Sequence, residues 1–225
     1  MRPKLNLFFL MILLSLFASA CTHHKKNQFT VIVWGDSTTA GAPLFRSPLE
    51  VPPNGKGNKE SQYSFWLSKH FPDWKIINSG LSGNKTTQML KRFDSDVARF
   101  HPDVVVILAG VNDLQGGFPA EWVKKNLEMI YQKADEKKIR VMVCTILPVD
   151  KSRPAVRQQM AELNEWLREI SRVKGYGFCD TYQALENPNG RGSLKSTADG
   201  FHPDVKGYQV LGDAIADAMK KWLAI

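Results

Sequence analysis

The sequence predicts an α/β fold, a parallel sheet of about five strands covered by helices on both faces. Two observations carry this reading. Short apolar runs rich in β-branched residues alternate along the chain with longer segments of helical period. One of those runs, Val104 to Ala109, is apolar without interruption, as in parallel strands buried on both sides.

The elements follow in order. Phe29 to Trp34 reads as the first strand. It passes into Gly35-Asp36-Ser37-Thr38-Thr39-Ala40-Gly41, small turn-forming residues that lift Ser37 out of the strand's carboxyl end. Ligands of open α/β sheets bind at that end, although a serine there equally suits a helix cap or a turn. Ala42 to Glu60 is proline- and glycine-rich and shows no period. A connection of that length is usually functional or mobile, so it reads as a substrate-facing flap or a solvated insertion. Ser61 to Phe71 has helical spacing, with Tyr63, Trp66, Leu67 and His70 on one side, and Pro72 ends it.

Trp74 to Asn78 is a short strand before the turn Ser79-Gly80-Leu81-Ser82-Gly83-Asn84. The next helix runs from about Lys85 to Phe100, with Met89, Leu90, Phe93, Val97 and Phe100 as its apolar stripe. After the Val104 to Ala109 strand, Gly110-Val111-Asn112-Asp113 opens a loop, and Pro119 starts a helix reaching about Lys137. Ile139 to Ile146 is the fourth strand, Pro154 to Val173 a helix, and Tyr176 to Asp180 a shorter fifth strand. A loop from Asn187 through Asp199 precedes the last helix, from Pro203 to about Trp222. There is no internal repeat and no second domain.

The first 20 residues stand apart. Arg2 and Lys4 precede the apolar stretch Leu7 to Phe17, and Ala18-Ser19-Ala20 leads to Cys21. This is the pattern of a secretory signal, too short for a stable membrane span. Small residues before a cysteine resemble a bacterial lipoprotein processing site. That resemblance implies a lipidated Cys21, a membrane anchor and a place in the cell envelope. A plain signal peptide cut after Ala20 is the alternative. Residues 21–28 then form a polar tether to a single domain over residues 29–225.

Net charge is +8, but the lysines and arginines are scattered among acids. They form a solvated face rather than the clustered stripe that nucleic acid requires. Cys144 and Cys179 each lie in a strand-like run and read as buried free thiols. In an exported chain a disulfide between them stays open.

Four features fall where strands end or the last helix begins: Ser37, the Gly80 to Gly83 turn, Asn112, and Asp199-Gly200-Phe201-His202. A parallel sheet brings the first three to one edge. Cleaving an ester needs a nucleophile, a base, a group to orient that base, and donors for the developing oxyanion. Asp199 and His202 are spaced so that the carboxylate can meet one imidazole nitrogen and leave the other for Ser37. They equally suit a turn cap and a packed helix start. Gly83, before a helix, can offer a backbone N–H to an anion. Asn112 can donate a side-chain amide or merely cap its own loop.

Taken in order, Gly35-Asp36-Ser37, Asn78-Ser79-Gly80-Leu81-Ser82-Gly83, Gly110-Val111-Asn112-Asp113 and Asp199-Gly200-Phe201-His202-Pro203 resemble the four blocks of the SGNH hydrolases, the GDSL esterase/lipase family. Thr38 stands where the family's nickname has leucine. The resemblance implies a flavodoxin-like three-layer α/β/α fold and a serine esterase working without metal or organic cofactor. It makes Ser37 the nucleophile, His202 the base and Asp199 its orienter. The Ser37 N–H, Gly83 and Asn112 become the oxyanion hole, with Gly80 left to shape the turn. Asp36 and Asp113 match the motif as loop-holding residues.

The expected activity is hydrolysis of a carboxylic ester through an acyl-enzyme. The polar Ala42 to Glu60 connection favours short acyl groups, such as O-acetyl on carbohydrate, over a long-acyl groove. A lysophospholipase, acylglycerol lipase or thioesterase is the alternative substrate class. A lipid-anchored binding protein without turnover is the rival from outside enzymology. The expected partners are an ester substrate and, through Cys21, a membrane; oligomeric state is left open. A dinucleotide site is excluded, because no Gly-x-Gly-x-x-Gly follows the first strand.

Overall fold

The computed structural model describes residues 28–225 apart from 151, 191 and 198. The leader and Cys21 lie outside the described residues.

The chain builds β1 (Thr30–Gly35), α1 (Ser37–Ala40), a small antiparallel pair β2 (Phe45–Arg46) and β3 (Lys56–Gly57), and α2 (Tyr63–His70). Then come β4 (Lys75–Gly80), α3 (Thr86–Asp96), β5 (Val104–Leu108), α4 (Val111–Gln115) and α5 (Ala120–Glu136). The remainder is β6 (Arg140–Cys144), α6 (Pro154–Lys174), β7 (Gly177–Cys179), α7 (Thr181–Leu185) and α8 (Val205–Leu223). Five strands form one parallel sheet in the order β4-β1-β5-β6-β7. Counted along the chain that order is the flavodoxin one, with the reversal between β1 and β5 where ligands bind.

Alternate side chains of the central strands feed two cores. Ile32, Trp34, Val105, Ile107, Val141 and Val143 pack towards α3, α5 and α6. Val31, Val33, Val104, Val106, Met142 and Cys144 pack towards α2 and α8. The helices supply matching stripes, such as Met89 and Phe93 on α3 and Leu211, Ile215 and Met219 on α8. Burial on both faces explains why β1 and β5 read as unbroken apolar runs.

Three local expectations need correction. Ser37 leaves a one-turn helix rather than a bare turn, because the Asp36 side chain accepts the Thr38 N–H at 3.0 Å. Asn112 likewise lies in a short helix, α4, not an open loop. Neither segment is long enough to show a helical period. The third is α7, capped by Asp180, where no helix is expected. Between Ala42 and Glu60 the chain forms the β2–β3 pair, and its Ser47 hydroxyl donates to the Gly80 carbonyl at 2.6 Å. Cys144 and Cys179 are buried free thiols in direct register on β6 and β7.

Candidate active site

The sheet sets Ser37 at its carboxyl edge, one residue beyond Asp36, which follows β1 and caps α1. Asp199 and His202 approach from the loop before α8. That loop is pinned along its length: the Leu194 N–H donates to the Asp150 carboxylate at 2.8 Å, and the Asp150 N–H to the Gly200 carbonyl at 2.8 Å. The Thr197 hydroxyl donates to the His202 carbonyl at 2.6 Å and accepts the Gly200 N–H at 2.9 Å. Asp204 then caps α8 by accepting the Gly207 N–H at 2.9 Å. The result is a rigid platform for one imidazole.

His202 Nε2 stands 2.9 Å from Ser37 Oγ, and His202 Nδ1 stands 2.7 Å from Asp199 Oδ2. The other Asp199 oxygen accepts the backbone N–H groups of Phe201 at 2.8 Å and His202 at 2.7 Å. Partial burial works to raise the Asp199 pKa. The bonds from His202 and Phe201 outweigh that and hold the carboxyl below its usual range. An ionised Asp199 fixes a proton on Nδ1 and leaves Nε2 free to accept the Ser37 proton.

The second and third strand ends close on the same edge. The Gly35 carbonyl accepts the Leu81 N–H at 3.2 Å, tying the turn after β4 to the end of β1. Asn112 Nδ2 donates to the Asn84 carbonyl at 3.1 Å, which joins α4 to that turn. The two glycines of the turn separate cleanly. A Cβ on Gly80 would lie 2.1 Å from the Ala40 nitrogen, so Gly80 is there to let β4 touch α1. Gly83 has φ of +74° and open space around it. Glycine at Gly83 serves backbone conformation, not close packing.

The helix start beyond Gly83 is not a free anion site. The Lys85 N–H is taken by the Gln88 side chain at 2.9 Å and the Thr86 N–H by Asp113 at 2.9 Å. Any donor from this turn is therefore the peptide N–H at Gly83 itself rather than the first turn of α3. Asp113 also accepts the Thr86 hydroxyl at 2.8 Å, and burial raises its pKa against those bonds. Asp36 is fully buried, and desolvation lifts it to about 7 despite its bond from Thr38.

Two residues that local sequence gives no reason to select hold this turn from outside. Arg92 on α3 and Glu50 in the Ala42 to Glu60 connection both reach the turn carrying Gly83. Neither belongs to a motif; Glu50 bonds Ser82 across 32 positions, and Arg92 reaches the Gly35 carbonyl across 57. A small pocket is lined by Asp36 and Thr38, the residues on either side of Ser37, and by Leu108, Val111, Leu147 and Phe201 among others, with a volume of about 10 Å³. Among the described residues no three His, Cys, Asp or Glu side chains are grouped to hold a metal ion.

The model of the GDSL-like lipase/acylhydrolase family matches residues 33–210. The chain belongs to that family. Membership makes it a carboxylic ester hydrolase on a three-layer α/β/α fold. It is 24% identical over 154 residues to an acetylxylan esterase of Geobacillus stearothermophilus, covering 62% of this chain and 69% of that one. Over 97 residues it is 32% identical to an arylesterase of Vibrio mimicus, covering 43% and 44% of the two chains. The solved lipase/acylhydrolase of Enterococcus faecalis superposes with a TM-score of 0.69 at 26% identity, covering 86% of this chain and 96% of that one.

Proposed function

We propose that this GDSL-family enzyme removes short acyl groups, acetyl above all, from carbohydrate hydroxyls through an acyl-enzyme on Ser37, at the cell envelope. The observation that carries the acyl size is the pocket beside Ser37. At about 10 Å³ it has room for one group the size of a water molecule or a methyl. Its walls are mostly apolar and buried, Leu108, Ala109, Val111, Ile146, Leu147 and Val149, with Asp36 and Thr38 on the side next to Ser37. A space of that size favours a methyl over a fatty chain.

The chemistry follows from these contacts. Ser37 Oγ attacks the carbonyl carbon as its proton passes to His202 Nε2, 2.9 Å away. Asp199 stabilises the imidazolium that forms. The carbonyl oxygen gains charge and is met by the N–H groups of Ser37 and Gly83 and the second side-chain N–H of Asn112. As the C–O bond to the sugar breaks, His202 returns the proton to the departing alkoxide. Water then attacks the acetyl-Ser37 ester by the same route, giving up a proton to His202, and acetate leaves.

The alcohol side is supported by the surface next to this centre. Phe118 and Trp122 are exposed, with ring centroids 6.2 Å apart and planes 23° from parallel. They follow the segment that carries Asn112, and the Lys85 ammonium stands 5.8 Å from the Phe118 centroid. Flat rings beside a hydrogen-bond donor suit the stacking of a pyranose. The named substrate of the Geobacillus relative, acetylxylan, has the same chemistry. Envelope location rests on the residues before and at Cys21.

The test is labelling by a fluorophosphonate probe together with rates on p-nitrophenyl acetate, butyrate and octanoate. Labelling and turnover fall away in Ser37→Ala, and the acetate ester is turned over fastest. A preference for octanoate would transfer the assignment to the lysophospholipase or acylglycerol class. A folded protein that neither labels nor turns over any ester would overturn the assignment of Ser37. Cys21→Ala is expected to release the protein from the membrane fraction.

A further inference from the structure

We infer that Arg92 and Glu50 are positioning residues that jointly set the oxyanion segment Ser82-Gly83-Asn84. They govern turnover without touching substrate. The inference rests on the reading that the Gly83 N–H and Asn112 meet the oxyanion.

Gly83 cannot hold itself in place. It is exposed, has no side chain, and has nothing within 4 Å of where a Cβ would stand. Its N–H direction is therefore set by its neighbours, and both neighbours are held by ionised groups. On one side, the Ser82 N–H donates to Glu50 Oε1 at 2.9 Å. Glu50 Oε2 is itself fixed by the Ser47 N–H at 2.9 Å, and the Ser47 hydroxyl reaches the Gly80 carbonyl at 2.6 Å. On the other side, Arg92 Nε donates to the Asn84 side-chain oxygen at 2.8 Å.

The rest of the Arg92 guanidinium ties that anchor to the nucleophile. Nη2 donates to the Gly35 carbonyl at 2.8 Å, and Nη1 to the Ser79 carbonyl at 3.0 Å and to Asp96 at 2.5 Å. The guanidinium also lies 5.4 Å from the Trp34 ring centroid. One planar, rigid fork thus measures the distance between the end of β1, the end of β4 and the turn carrying Gly83. A lysine, with a single nitrogen, cannot hold three such points. Bonds to ionised partners are shorter and stronger than neutral ones, which suits a device that must hold an otherwise free peptide. Misplacement of a reacting contact by about 1 Å can cost about a hundredfold in rate.

The experiment compares wild type, Glu50→Gln, Arg92→Lys and Asn112→Ala. Each is assayed on p-nitrophenyl acetate and against a short-chain trifluoromethyl ketone, which adds reversibly to a serine and carries an oxyanion. In Glu50→Gln the new amide sets an N–H against the Ser82 or the Ser47 N–H. The expected result for Glu50→Gln and Arg92→Lys is a kcat lowered about tenfold or more with KM within about twofold, and a ketone Ki raised by a matching factor. Circular dichroism and melting temperature report whether each variant is folded; should Arg92→Lys not fold, Glu50→Gln decides alone. Unchanged kcat in folded Glu50→Gln, or a lowered kcat with unchanged ketone Ki, would overturn the positioning role. If Asn112→Ala loses both kcat and ketone affinity while the folded clamp variants keep them, the oxyanion hole stands and only the clamp falls. If Asn112→Ala keeps both, the oxyanion reading falls and the clamp with it.

Discussion

Asn112 Nδ2 donates to the Asn84 carbonyl at 3.1 Å, so the two segments that carry the proposed oxyanion donors are bonded to each other. One N–H of the amide is thereby fixed on the protein and the other is left to point elsewhere. The bond does more than orient Asn112. It also makes the turn after β4 and the start of α4 a single unit.

Replacing Asn112 by Ala should therefore lower kcat by about 10²–10³, the usual loss for one oxyanion donor. KM for p-nitrophenyl acetate should change little, because the lost bond matters chiefly in the transition state. Steady-state kinetics on the purified variant checks this. A rise in KM at constant kcat would place Asn112 in ground-state binding instead.

The two glycines of the turn should fail in different ways. A methyl at Gly80 meets the Ala40 nitrogen at 2.1 Å and the Thr39 carbonyl carbon at 2.5 Å, and backbone cannot step aside cheaply. Gly80→Ala should lose about 3 kcal/mol of stability or more. Gly83→Ala has space for its methyl but must keep φ near +74°, a strain of about 1–2 kcal/mol. It should fold, melt a few degrees lower, and lose activity out of proportion to that shift. Urea unfolding and kcat, measured on both variants, separate the two effects.

Asp199→Asn tests the imidazole's orientation. The asparagine oxygen can still accept from the Phe201 and His202 N–H groups, so the loop should hold. Its amide would then face His202 Nδ1, favouring the tautomer with the proton on Nε2. That form cannot accept from Ser37. In serine triads such a change costs about 10⁴ in kcat; the Asp199 side chain is 37% exposed, and water can partly substitute, so about 10²–10³ is expected here. The loss should be nearly the same for acetate and butyrate esters, since no acyl contact is altered.

How much of this was legible in the sequence follows from where the information is stored. Val31 to Trp34 of β1 and all of β5 are written locally, as apolar runs with no polar interruption, and their burial on both faces bears that out. The four motif blocks are also local, each a few residues at a strand end or helix start. Sheet order turns them into one site, and the family resemblance supplied that order. Short α1, α4 and α7 escaped because one turn of helix has no period to read. Arg92 and Glu50 escaped for a different reason. Arg92 looks like any charged residue on an amphipathic helix, and its bond to the Gly35 carbonyl spans 57 positions. Glu50 sits in a stretch with no pattern, 32 positions from Ser82.

Buried Asp36 should leave a signature in the pH dependence of stability. Its pKa rises from 3.8 to about 7, chiefly through desolvation. Below 3.8 the folded and unfolded chains both hold the proton. Between 3.8 and about 7 the unfolded chain ionises first, so the unfolded state binds fewer protons and stability falls as pH rises. Above about 7 the penalty is complete, and roughly three pH units correspond to about 4 kcal/mol. Asp36→Asn keeps the cap on Thr38 and removes the ionisation. Its stability relative to wild type should climb between pH 4 and pH 8 by an amount up to that size. Urea unfolding across this range measures the difference, in which carboxylates common to both proteins largely cancel. A flat difference would mean that the Asp36 carboxyl is hydrated in solution.

Phe118 and Trp122 give the sharpest test of the alcohol side. The two residues are 39% and 43% exposed, so truncation should leave the core intact. The double variant Phe118→Ala, Trp122→Ala should hydrolyse p-nitrophenyl acetate at the wild-type rate, because that substrate offers no sugar to stack. On an acetylated xylo-oligosaccharide its KM should rise about tenfold, equivalent to about 1.4 kcal/mol of lost binding. Acetate release, followed by titration at constant pH, gives both parameters on the proposed type of ester. Should the wild type turn over p-nitrophenyl acetate but not the acetylated oligosaccharide, carbohydrate is the wrong alcohol and these rings serve another partner. Equal KM in variant and wild type would keep carbohydrate as substrate while moving its binding surface away from Phe118 and Trp122.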